Sequence, residues 1–105
     1  MLKMTILAAA LAAASPASAH EFVSEFGVAT WYQNPYHPGL IAAHKSLPFG
    51  TRVKVTNLDN GRTLVVVIVD RGPFAKGRII DVSPVAATQL GFLRAGIAHV
   101  RIERV

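Results

Sequence analysis

Cysteine is absent from all 105 residues. Small exported domains bury a modest share of their surface and often rely on disulfides to compensate, so this chain must draw its stability from a well-closed apolar core. The same absence removes a thiol nucleophile. With no cysteine after the N-terminal apolar run, a lipid anchor is not expected either. Membrane-length hydrophobic runs are also missing. Met1-Leu2-Lys3-Met4 is a short positive start, Thr5 to Ala14 is apolar but too short to span a bilayer, and Ala17-Ser18-Ala19 is a small-x-small cleavage pattern. Residues 1–19 therefore read as a signal peptide cleaved after Ala19. The mature chain is expected to be exported to the periplasm or beyond, without a stable membrane anchor.

Clusters of charge are lacking. Removing residues 1–19 takes Lys3 away and leaves ten Lys and Arg against six Asp and Glu, a net charge of +4. The basic residues stand singly, from Lys45 to Arg104, with no aromatics interleaved, so nucleic acid is not an expected partner. A scattered basic surface on an exported domain suits an anionic polymer such as cell-wall glycan. There is no His-x-x-x-His, no Cys pair and no run of carboxylates. Nothing in the spacing of His37, His44 and Asp70 supports a metal site, and neither metal nor cofactor is expected. No serine sits in a Gly-x-Ser-x-Gly elbow. Acid–base work by a carboxyl is the chemistry that remains.

The stretch Thr63 to Ser83, TLVVVIVDRGPFAKGRIIDVS, is where such a carboxyl would sit. Thr63 to Val69 reads as a Leu-, Val- and Ile-rich strand that drops into Asp70-Arg71-Gly72-Pro73, two oppositely charged residues followed by two turn formers. A carboxyl at the mouth of a buried strand has rigid support on one side and access to ligand on the other. Burial there would help Asp70 keep a proton and Arg71 would oppose it; the two readings, acid and turn cap, both stay open. Arg78 to Val82 is a second short strand carrying Asp81, which reads as a loop-stitching acid.

The 86 mature residues make one domain. His20 to Phe26 reads as a flexible leader. Gly27 to Tyr32 reads as a first strand, on which Trp31 and Tyr32 face opposite sides, so at least one ring is exposed. Gln33 to Leu40, with two prolines, is a surface loop, and Leu47 to Gly50 a turn. Arg52 to Thr56 alternates, and Asn60-Gly61 turns it back into the central strand. Ser83 caps a helix that opens on Pro84, runs to Leu90 and closes at Gly91. Ala98 to Val105 alternates again as the closing strand. Five or six short strands and one short helix predict an all-β domain closed into a small barrel, which leaves no exposed edges.

Several segments together carry a resemblance: Gly27-Val28-Ala29-Thr30-Trp31-Tyr32; Ala42-Ala43-His44-Lys45-Ser46-Leu47-Pro48-Phe49-Gly50-Thr51; Asp70-Arg71-Gly72-Pro73-Phe74; and Lys76-Gly77-Arg78-Ile79-Ile80-Asp81-Val82-Ser83. In this order they resemble the catalytic domain of the rare lipoprotein A family, septal-ring lytic transglycosylases. The resemblance covers nearly all of residues 27–105. It implies a closed six-stranded double-psi β-barrel with one or two short helices, the superfamily of expansins and barwin-like proteins. It also implies a monomeric enzyme that binds peptidoglycan glycan strands and cleaves between N-acetylmuramic acid and N-acetylglucosamine, leaving 1,6-anhydro ends.

Asp70 matches the family's catalytic acid and His44 its second functional position. Trp31, Tyr32, Tyr36, Arg71 and Lys45 are the substrate-binding candidates; a purely structural role for His44 is the competing reading. Relatives usually carry a longer, acid-bearing loop where this chain has Gln33 to Ile41, which contains no acid. That departure keeps a second possibility open, an expansin-like module that grips glycan without cleaving it.

Overall fold

The computed structural model of the chain describes residues 24–105. The expected signal peptide and residues 20–23 of the expected leader lie outside these residues. The described residues form six strands: β1 (Ser24–Trp31), β2 (Ile41–Ala43), β3 (Arg52–Asn57), β4 (Thr63–Asp70), β5 (Arg78–Val82) and β6 (Ile97–Arg104). A helix, α1 (Pro84–Leu90), lies between the last two. The strands close in the order β1-β5-β2-β4-β3-β6. β1 with β5 and β2 with β4 are parallel, and the other four pairings are antiparallel. This is the closed barrel with one short helix that the strand pattern predicts.

Apolar alternation builds the core. On β3, Val53 and Val55 are fully buried between exposed or half-buried Arg52, Lys54 and Thr56, and on β6 Val100 and Ile102 do the same. Val66 and Ile68 of β4 and Ile80 and Val82 of β5 complete the barrel interior, and α1 closes one side with Ala86, Ala87 and Leu90. The helix starts and stops where its caps dictate. The Ser83 hydroxyl accepts from Ala86 N–H with Pro84 in the first turn, and Gly91 ends it in the left-handed region at φ 83°.

Two details depart from expectation. Ser24, Glu25 and Phe26 are not loose but pair with Glu103, Ile102 and Arg101 of β6, so β1 begins three residues before Gly27. The reason is a partner: the long closing strand offers backbone groups all along β1, and a terminus tied into a ladder is ordered. Asn57, one residue beyond the strand expected to end at Thr56, belongs to β3 and is 1% exposed. Its Nδ2 donates to Leu90 O at 2.8 Å and its Oδ1 accepts from Asp59 N–H at 2.9 Å. One buried amide thus satisfies the end of α1 and shapes the β3–β4 turn, where Gly61 N–H donates to Asn57 O at 2.7 Å.

Candidate active site

Register decides where the acids go. Thr30 on β1 stands opposite Asp81 on β5, Asp81 opposite Ala43 on β2, and Ala43 opposite Asp70 on β4. Ala42 pairs with Ile68 but Ala43 with Asp70, so Val69 is an extra residue on β4. Strict alternation after Val66 and Ile68 would send Asp70 into the barrel. The bulge re-aims it onto the same outer face as Ala43 and Asp81. Tyr32 lies two residues after Thr30 and reaches this face from the end of β1.

The Asp70 carboxylate is held from both sides. Its Oδ2 accepts from the Tyr32 hydroxyl at 3.1 Å and from Asn34 Nδ2 at 3.4 Å, and its Oδ1 accepts from Arg71 N–H at 2.9 Å. Asn34 Nδ2 also donates to the Tyr32 hydroxyl at 3.2 Å. Burial pushes the Tyr32 phenol above its ordinary value; the Asn34 bond opposes this, and the Asp70 and Asp81 charges add to it. Asp70 and Val69 form the floor of an open cleft of about 370 Å³, whose walls are Tyr32 and residues 33–37, including the largely exposed Tyr36. Thr30 Oγ1 donates to Asp81 Oδ1, joining β1 to β5.

Arg71 turns away from the carboxylate. Its Nη1 donates to the carbonyls of His44 at 3.2 Å and Leu47 at 2.8 Å, and its guanidinium lies 4.3 Å over the Phe49 ring. His44 is 4% exposed, and its backbone N–H donates to Asp70 O at 3.0 Å. Its Nδ1 accepts the N–H groups of Ser46 and Leu47, each at 3.1 Å, and its Nε2 lies 2.9 Å from Glu25 Oε1.

Of the sequence-selected residues, Asp70, Tyr32 and Tyr36 meet in the cleft. Arg71 and His44 support it from the adjoining turn, and Lys45 is exposed on that turn. Trp31 belongs to the other face. It packs against the core and donates Nε1–H to Leu93 O at 2.9 Å. Asn34 and Glu25 escaped sequence reasoning. A lone Asn in a Pro-rich loop gives no spacing signal, and Glu25 lies in the segment read as leader. His37 shares the cleft with Asp70, and among the described residues no group of three His, Cys, Asp or Glu could hold a metal ion.

A closed mixed barrel with a carboxylate at the mouth of one strand defines a small double-psi β-barrel domain. Its architecture matches a variant of Clavibacter michiganensis expansin solved with cellohexaose, at TM-score 0.66 and 23% identity over 78% of this chain and 50% of that one, a likeness of fold. The chain belongs to the lytic transglycolase family, whose model matches residues 22–102. Among relatives it is 62% identical over 64 residues to the probable endolytic peptidoglycan transglycosylase RlpA of Nostoc sp., covering 61% of this chain and 17% of that protein. To the endolytic peptidoglycan transglycosylase RlpA of Vibrio cholerae it is 48% identical over 92 residues, 76% of this chain and 35% of that protein. The chain thus spans well under half the length of these curated relatives.

Proposed function

We propose that this domain is an endolytic peptidoglycan transglycosylase, exported behind a signal peptide cleaved after Ala19, with Asp70 as its single acid and base. The observation that carries the reading is the Asp70 carboxylate. It stands at the floor of the cleft, fixed by Tyr32, Asn34 and the Arg71 amide, in a chain whose relatives are named for this activity.

The reaction suits one carboxyl. Protonated Asp70 gives its proton to the glycosidic oxygen as the bond from that oxygen to C1 of N-acetylmuramic acid breaks. The C6 hydroxyl oxygen of the same sugar bonds to C1 and its proton passes to the Asp70 carboxylate, which regenerates the acid and leaves a 1,6-anhydro ring. Hydrolysis would add a water and normally a second flanking carboxyl. Glycan lies along the cleft against Tyr32 and Tyr36, aromatic faces suited to sugar rings, with the exposed Lys45 and the rest of the basic surface available to an anionic polymer. His44 acts behind Asp70 by bracing the turn to which Arg71 is bound.

The test is incubation of the chain with purified glycan strands, with and without stem peptides, followed by mass spectrometry for anhydro-muramoyl ends. Wild type should produce them and Asp70→Asn should not. Glycan capture without anhydro ends would replace the enzyme with a binding module, and an Asp70→Asn variant as active as wild type would displace Asp70.

A further inference from the structure

Glu25 lies at the start of β1, opposite Ile102. Its side chain is 36% exposed, whereas that of His44 is 5% exposed, and the two meet at 2.9 Å through Oε1 and Nε2. The other ring nitrogen settles which proton the imidazole carries. Nδ1 receives two backbone N–H groups, from Ser46 and Leu47. A nitrogen that accepts two donors must offer a lone pair, so the ring proton sits on Nε2 and points at Glu25. An imidazolium would set a third N–H against the two amides. His44 is therefore built as a fixed brace.

The brace reaches the cleft. The turn it holds supplies the His44 and Leu47 carbonyls that anchor Arg71, and His44 N–H donates to the carbonyl of Asp70 itself. Glu25 is thus linked through His44 to the backbone carbonyl of Asp70 and, through the 44–47 turn, to the Arg71 guanidinium.

We propose that Glu25 is a positioning residue. By accepting Nε2–H it fixes the tautomer and angle of His44, and through the 44–47 turn it fixes the height of Asp70 in the cleft. This rests on the transglycosylase reading of Asp70. The hydrogen bond does the work and the charge is secondary, so Glu25→Gln, which keeps an acceptor oxygen, should rescue what Glu25→Ala loses.

The experiment compares the wild-type chain with both variants by nitrogen-15 NMR of the histidine rings and by anhydro-end formation. In wild type, His44 should show a protonated Nε2 and an unprotonated Nδ1. In Glu25→Ala the Nε2–H signal should be lost to solvent exchange, with turnover at saturating glycan down about tenfold, the scale of losing one hydrogen bond to a charged group, and KM little changed. Glu25→Gln should keep the Nε2–H signal and stay within about threefold of wild-type turnover, as a neutral acceptor replaces a charged one. A wild-type His44 protonated on Nδ1 would overturn the proposal. So would Glu25→Ala turning over at the wild-type rate, or Glu25→Gln failing as badly as Glu25→Ala. Absence of anhydro ends from wild type would instead overturn the transglycosylase reading, and the ring spectra would still report whether Glu25 fixes His44.

Discussion

The Tyr32 hydroxyl donates to Asp70 Oδ2 at 3.1 Å, across residues 38 apart in sequence that the ends of β1 and β4 bring to one face. With the longer bond from Asn34 Nδ2, it holds Oδ2 from the protein side and turns the carboxylate toward the cleft. Tyr32→Phe keeps the ring and removes that donor. Hydrogen bonds to charged groups contribute about 1.5–3 kcal/mol, so turnover should fall on the order of tenfold or more. KM should change less if the ring still meets the sugar. Steady-state kinetics on glycan strands separate the two; a variant that loses only KM would make Tyr32 a binding residue alone.

The raised Tyr32 phenol makes a pH prediction. A group whose folded value lies above its unfolded one gives the folded state stability that is fully present below the unfolded value, near 10 for tyrosine. That stability is lost as pH rises through the folded value. Unfolding midpoints in urea should therefore fall above about pH 10 in wild type and fall less steeply in Tyr32→Phe. Parallel profiles would mean that the phenol titrates alike in both states.

Arg71 is held by two carbonyls and an aromatic face, a geometry that belongs to a planar guanidinium. In Arg71→Lys a point charge cannot serve both carbonyls and stack on Phe49 together. The urea midpoint should drop by the equivalent of about 1 kcal/mol, the typical net value of one hydrogen bond. Because the turn from His44 to Leu47 supports Asp70, turnover should decline as well. Unchanged stability with lost glycan capture would recast Arg71 as a ligand contact.

Much of this was legible in the residues, for local reasons. Asp70 stands out because an apolar strand ends on it before a turn, and α1 because Ser83, Pro84 and Gly91 mark both ends with side-chain chemistry. What escaped depends on register. The extra residue Val69, which aims Asp70 outward, is invisible until β2 pairs with β4. Glu25 looked like part of a loose leader because its order comes from β6, more than seventy residues downstream. Asn34 acquires its role only once Tyr32 and Asp70 are brought to it.

Ser83 joins the helix to the cleft wall, which makes its removal informative on both. Its hydroxyl accepts from Ala86 N–H at 3.3 Å as helix cap and donates to Gly39 O at 2.7 Å. Gly39 ends the loop that carries Asn34 and Tyr36. Ser83→Ala loses both bonds and leaves the buried Ala86 N–H unpaired. Loss of a cap costs about 1 kcal/mol, and loss of the bond to the Gly39 carbonyl, which keeps the Ile41 N–H at 3.0 Å, adds at most a comparable amount. Urea denaturation should show a drop of about 1–2 kcal/mol at unchanged m-value. The loop, released at one end, should hold Asn34 less well against Asp70. Hydrogen exchange of residues 34–39 should then quicken while that of β3 and β6 stays at the level set by the global drop. If only the helix amides quicken, the Gly39 bond does not govern the loop and the cleft wall is held by Asn34 and Tyr32 alone.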